Sequence, residues 1–130
     1  MSTAIITSDT SINHLTGDGH PEQPKRILSI TEKLKKRKDL LWKNPEKVSD
    51  EILKMTHSDQ YIDKIKKSFP KEGLKFLDGD TVISPGSKEA VFDAAGSVIK
   101  AINCIEKGEF KNAFCAVRPP GHHAEKNKAM

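Results

Sequence analysis

The chain has 130 residues, with 22 Lys and Arg against 18 Asp and Glu and a formal net charge of +4. That length holds one domain or one piece of a larger domain, and with only 5% aromatic residues the core falls to Ile, Leu, Val and Ala. A charged fraction of 31%, a mean hydropathy of −0.57 and no apolar run near the roughly 20 residues needed to span a bilayer argue against a membrane protein.

Met1 to Thr7 has no basic segment, and its apolar stretch is too short for a signal peptide. Two cysteines, Cys104 and Cys115, do not make a disulfide framework. Both read as reduced core thiols, and the protein as cytoplasmic. Residues 25–75 hold 15 Lys and Arg against 8 Asp and Glu, a basic block that could attract nucleic acid or an acidic partner. Lysines outnumber arginines 19 to 3, however, with few aromatics between them. A solvated lysine-rich surface is the simpler reading, so nucleic acid is not an expected partner.

In chain order, Ala4-Ile5-Ile6-Thr7 is β-prone and reads as a first strand. Residues 11–24 are dense in Gly, Pro, Asn and His and read as a loop. Pro24 suits a first helical position, and Ile27, Ile30 and Leu34 follow at helical spacing, with Leu41 continuing the stripe until Asn44-Pro45 ends it. Residues 49–69 read as a short helix and a longer one capped by Ser58, with Ile62, Ile65 and Phe69 on one face. Residues 73–86 read as loop. A long helix follows, capped by Ser84 or Ser87, with Val91, Ala94, Ala95, Val98, Ile102 and Ile105 as its apolar face and Gly108 closing it. Ala113-Phe114-Cys115-Ala116-Val117 is a continuous apolar run, as expected of a parallel strand buried on both faces. A helix leading into such a strand is half of a βαβ unit, so the fold class is α/β.

The chemistry lies just beyond that strand, in Arg118-Pro119-Pro120-Gly121-His122-His123-Ala124. Ligands of open α/β sheets bind outside the carboxyl ends of the strands. Two prolines stiffen the turn there, and a glycine lets backbone approach a ligand. Adjacent imidazoles suit proton transfer near neutral pH.

RPPGHHAE closely resembles the active-site motif of the histone deacetylase family, in its class II and bacterial branch, which includes acetylpolyamine amidohydrolases and acetoin-utilisation proteins. Three further segments resemble the family in the same order: GHPEQPKR at 19–26, LDGDTVISPGS at 77–87, and KNAF at 111–114. The resemblance implies the N-terminal part of a three-layer α-β-α arginase/deacetylase-like fold with a mainly parallel sheet. It makes His122 and His123 the tandem histidines that bond the zinc-bound water and the substrate carbonyl region, with His123 as general base and acid. Asp80 matches the rim aspartate that accepts the substrate's backbone N–H groups, and Arg26 the arginine of the acetate-release channel. Arg118, Pro119, Pro120 and Gly121 support the motif. His14, His20 and Glu22 lie by resemblance near the channel mouth and are assigned no catalysis. His57 reads as structural.

The implied reaction is hydrolysis of an acetamide in acetylated protein or a small acetylated amine. Zn2+ would polarise the carbonyl and acidify the water. The family's metal ligands, an Asp-x-His and a further Asp, lie downstream of the tandem histidines, and none of residues 1–130 matches them. Asp18-Gly19-His20 is the one Asp-x-His here, and no apolar strand precedes it. The expectation is therefore the N-terminal portion of one deacetylase domain, cut after the tandem-His motif and inactive alone. Two other classes compete: a non-catalytic binding module that keeps the rim and the histidines, and a basic nucleic-acid-binding protein resting on 25–75.

Overall fold

The computed structural model describes residues 2–130. Its centre is β1, Thr3–Ile6, with Ala4, Ile5 and Ile6 buried. β1 pairs in parallel with β2, Leu40–Lys43, on one side and with β5, Asn112–Cys115, on the other. The sheet order is β2-β1-β5. Between β1 and β2 lie α1, Thr10–Asn13, and α2, Pro24–Lys35. Between β2 and β5 lie α3, Asp50–Leu53, α4, Asp59–Ser68, the hairpin β3, Lys75–Phe76, with β4, Val82–Ile83, and finally α5, Ser87–Glu106.

Alternation along β1 sets the layers. Ile5 points to one face, where it packs with Ile27 of α2 and Ala116. Ala4 and Ile6 point to the other, where they meet Ala101 and Cys104 of α5, and Phe110. Helices on both faces of a parallel sheet make an α/β three-layer arrangement, as expected. No helix among the described residues is long and apolar enough to cross a membrane.

Several local expectations give way. Residues 11–24 are not all loop, because α1 occupies the start of that stretch. Leu41 does not extend the stripe of α2: the helix ends at Lys35, and Leu41 lies in β2, paired with Ala4. Residues 73–86 contain the β3–β4 hairpin. Neither Ser84 nor Ser87 caps α5 with its side chain; the cap residue is Gly86, and Ser87 Oγ accepts the Ser84 N–H at 2.8 Å. The inward face of α5 is Ala90, Gly96, Ser97, Ala101 and Cys104, whereas Val98, Ile102 and Ile105 are exposed. Small residues win that face because the helix lies close to its neighbours, and a Cβ on Gly96 would collide with the Glu46 carbonyl. β5 is not buried on both faces either. It is an edge of the sheet among the described residues, and Phe114 is 48% exposed.

Other expectations hold. Ser58 caps α4 through its hydroxyl, and Ile62 is buried. At the end of α5, Gly108 takes φ +72 while its N–H reaches Ile105 O and the Glu109 N–H reaches Cys104 O, the double closure that favours glycine. Cys104 and Cys115 are free thiols, and burial pushes the Cys115 pKa up.

One ion pair ties the first loop to the end of β5. Arg118 is 2% exposed, and its Nε and Nη2 each donate at 2.8 Å to the two oxygens of Glu22. Nη1 donates to the carbonyls of Ser11, at 2.6 Å, and His14, at 2.8 Å. Burial alone would raise the Glu22 pKa, but the His14 imidazole and the Arg118 guanidinium outweigh it and bring it from 4.5 to about 2. A carboxylate whose folded-state pKa lies below its unfolded one stabilises fully above the unfolded value. The contribution is then lost as pH falls from about 4.5 towards 2. At neutral pH it is on the order of 3 kcal/mol. Thermal unfolding followed by circular dichroism from pH 7 to pH 2 should therefore show Glu22→Gln less stable than the parent at pH 7. The difference should shrink below about pH 4.5. An unchanged gap across that range would contradict the role of the pair.

Candidate active site

The segment after β5 is held before it turns. Ala116 N–H donates to Ile6 O at 2.9 Å and Thr7 Oγ1 donates to Ala116 O at 2.7 Å, which prolongs the alignment with β1 by a residue. Arg118 N–H then reaches Ser11 Oγ at 3.3 Å. The Arg118–Pro119 peptide is cis. Gly121 has φ +68, a conformation that side-chain-bearing residues rarely adopt, and Ala124 N–H closes a turn on Gly121 O at 3.0 Å. His122 and His123 are the two residues inside that turn. Their ring centroids are 4.1 Å apart with planes tilted by 47°, and both side chains are exposed.

Downstream, the chain is tied to the turn between α3 and α4. Ser58 N–H donates to Lys126 O at 3.4 Å and the Ser58 hydroxyl bonds Asn127. His57 Nδ1 lies 3.3 Å from the same Lys126 carbonyl and its ring packs on Tyr61 at 4.9 Å. His57 also lines the cleft described next. The tandem-histidine loop is thus fixed at both ends and open in the middle.

The imidazoles face a cleft of about 570 Å³ that also takes in Asp80, Arg26, Glu22 and His20. Val91, Ala94, Ala95 and Val98 of α5 line it too, which is where the apolar stripe read from the sequence comes to lie. Asp80 sits exposed at the tip of the β3–β4 hairpin, closed by Leu77 N–H to Thr81 O at 2.8 Å. Its own N–H donates to Asp78 Oδ1 at 2.9 Å, and that bond, with help from Thr81, holds the Asp78 carboxyl below the usual range. Asp78 is therefore an ionised anchor that shapes the tip presenting Asp80.

The structure brings His122, His123, Asp80 and Arg26 to one cleft. Arg26 is more open than a channel-lining role suggests: its side chain is 59% exposed, and its nearest charged partner is Glu22, at 3.7 Å. Asp18-Gly19-His20 forms a local turn, with His20 Nδ1 accepting the Glu22 N–H at 3.0 Å. No group of three or more His, Cys, Asp or Glu side chains among the described residues is placed to hold a metal ion.

Sequence reasoning missed Glu22 as the partner of Arg118. Two signals pointed there: an arginine directly after an apolar strand, and a carboxylate in a loop otherwise rich in Gly, Pro and His. A buried guanidinium needs a carboxylate, and Glu22 is the one that meets it.

Comparison with known proteins agrees with this geometry. The model of the histone deacetylase domain matches residues 20–130. Histone deacetylase 5 of Arabidopsis thaliana is 34% identical over 139 residues, covering 97% of this chain and 21% of that protein. A histone deacetylase-like amidohydrolase of Pseudomonas aeruginosa is 33% identical, covering 86% of this chain and 30% of that protein. A probable deacetylase of Archaeoglobus fulgidus is 29% identical, over 96% of this chain and 36% of that one. Among solved structures, the crystal structure of the HDA15 HD domain superposes with a TM-score of 0.89 at 28% identity, covering 99% of this chain and 39% of that one. The chain thus spans between about a fifth and two fifths of the length of these relatives. With the motif turn, the parallel sheet and the domain match in agreement, the chain belongs to the histone deacetylase domain family.

Proposed function

We propose that this chain carries the proton-handling part of a zinc-dependent deacetylase that hydrolyses an acetamide of the acetyl-lysine or acetylpolyamine type. The observation that carries the reading is the exposed imidazole pair, 4.1 Å apart, in the cleft that also holds Asp80. In this reading an imidazole nitrogen of His123 takes a proton from the attacking water. It then delivers a proton to the amine nitrogen as the carbon–nitrogen bond breaks. His122, beside it, hydrogen-bonds the substrate's carbonyl region. Asp80 accepts backbone N–H groups of the substrate from the hairpin tip, and Arg26 lines the path by which acetate leaves.

The zinc ion fits only in part. The described residues supply no set of three ligands, whereas a catalytic zinc takes about three from protein. The tandem imidazoles act on protons in this proposal, and the metal's ligands belong to other residues. Residues 1–130 then form the N-terminal portion of a single deacetylase domain. The partial coverage of every relative above supports that assignment, as does the open edge of β5. A cytoplasmic location, supported by two free thiols, completes the reading.

Three outcomes test it. Residues 1–130 mixed with zinc and an acetyl-lysine peptide should give no turnover. Robust turnover that disappears with His123→Ala would sink the division of the site. Within a complete deacetylase domain containing these residues, His123→Ala should lower kcat by about 10²–10⁴-fold. Metal analysis should find zinc still bound in that variant, and loss of metal along with activity would refute the assignment. Asp80→Ala should raise KM for acetyl-lysine peptides and leave a small acetamide without backbone N–H donors nearly unaffected, because charge-assisted bonds of about 1.5–3 kcal/mol at best are lost only in the first case. Equal losses for both substrates would count against the rim role.

A further inference from the structure

From the wall of the cleft, where His14 and Glu22 line it, a chain of polar groups that the proposed reaction does not use runs inwards. Ser87, fully buried at the start of α5, has its Oγ 2.6 Å from His14 Nδ1. The other ring nitrogen, His14 Nε2, lies 3.5 Å from Glu22 Oε2. Glu22 grips Arg118 through both oxygens, and Arg118 opens the loop that carries His122 and His123. The order is therefore serine, histidine, glutamate, arginine, running from the first turn of α5 to the base of the tandem-histidine turn.

A serine, a histidine and a carboxylate in this order invite comparison with a nucleophilic triad, and burial argues against it. Ser87 has no exposure at all, and His14 only 4%. The Ser87 oxygen also accepts the Ser84 N–H at 2.8 Å, so one lone pair is already engaged. No substrate carbonyl can reach it.

The hydrogen atoms can be followed. Ser84 Oγ accepts the Leu15 N–H at 3.0 Å and donates to Asn13 O at 3.2 Å. Ser84 thus has no hydrogen left for Ser87, whose own hydroxyl is free to donate to His14 Nδ1. With Nδ1 accepting, the proton of a neutral imidazole resides on Nε2, facing Glu22. The serine thereby selects the tautomer that meets the carboxylate with an N–H group rather than with a lone pair. His14 contributes a second time through its carbonyl, which accepts from Arg118 Nη1 at 2.8 Å.

We propose that His14 and Ser87 are positioning residues for the tandem-histidine loop, acting through Glu22 and Arg118. The inference rests on the proposed role of His122 and His123 for its functional meaning, but its physical content concerns the loop alone. Arg118 has four of its five N–H groups engaged, by Glu22, Ser11 and His14. The carboxylate can keep the two-point grip only while its own orientation is held, and the buried His14 imidazole, 3.5 Å from Oε2, is a second group that holds it. If the imidazole is lost or turned, the carboxylate can swing towards the exposed Arg26, 3.7 Å away, and release the base of the loop.

Hydrogen exchange read by mass spectrometry on residues 1–130 tests this without substrate or metal. A peptide from 116 to 127 reports the amides from 118 onwards, including the bonded ones of Arg118, Ala124 and Glu125, and a peptide from 1 to 7 reports those of 3–7 in and beside the central strand. Ser87→Ala, which removes one hydroxyl, and His14→Ala should each speed exchange in 118–127 by about tenfold or more, with 3–7 unchanged. His14→Asn places an amide where Nδ1 stands, keeping the Ser87 contact without the reach to Glu22, and should restore little of the protection. His14→Gln reaches towards Glu22 and should restore more. If His14→Ala unfolds the chain, Ser87→Ala and the Asn and Gln pair carry the comparison. Exchange in 118–127 that matches the parent in Ser87→Ala or in His14→Asn would overturn the proposal, as would equal acceleration in 118–127 and 3–7. Failure of the deacetylase reading would appear in turnover assays and leave this exchange pattern intact, so the two can fail separately.

Discussion

The site depends on a guanidinium that has no business in an α/β core without full compensation. Arg118 follows directly on β5 and is 2% exposed, at a depth where an unpaired charge costs several kcal/mol. The fold answers with a carboxylate gripped at two points and two loop carbonyls, from residues that are 96 to 107 positions away in the chain. Those partners come from α1 and the loop before α2, so the first loop cannot take any other course without leaving Arg118 unpaired. One ion pair therefore fixes both the path of the first loop and the point from which the tandem-histidine turn departs. Removing either partner is expected to be worse than never having had the pair, because the survivor stays buried.

Much of this architecture could be read from residues alone where side-chain chemistry and position agreed. A run of apolar residues ending in Arg-Pro-Pro-Gly-His-His has few structural meanings, and the glycine proved to be at φ +68 in the turn itself. Ser58 announced a helix start because a hydroxyl there meets otherwise unpaired N–H groups; Ser49 caps α3 in the same way. The strand at Leu40–Lys43 was obscured because Leu41 falls at a helical interval after Leu34, and a short apolar run carries no period of its own. α5 misled for another reason. It is apolar on two faces, and the bulkier stripe went to the cleft and to the surface while the small residues went to the sheet. Hydrophobicity alone ranks Val98 above Gly96, but the closeness of the Glu46 carbonyl ranks them the other way.

The candidate site was half legible for the same reason. His122, His123, Asp80 and Arg26 could be named in advance because they belong to short motifs, and they do share one cleft. The residues that hold them could not. Glu22, His14, Ser11 and Ser87 matter through contacts across long stretches of chain, and around His14, Ser11 and Ser87 nothing in the local sequence records the partner. Asp78 is intermediate: its proximity to Asp80 is plain, but its part as the anchor of the hairpin tip appears only with the bond from the Asp80 N–H.

The central claim is that the Arg118–Glu22 pair acts as one unit at the base of the loop. A double-mutant cycle on the unfolding free energy of the chain addresses it directly, with Arg118→Met, Glu22→Leu and the two combined. The account predicts strong coupling, about 2 kcal/mol or more, with the double variant losing far less than the two single losses together. Losses that add to within about 0.5 kcal/mol would mean that the two side chains act independently, and would contradict it.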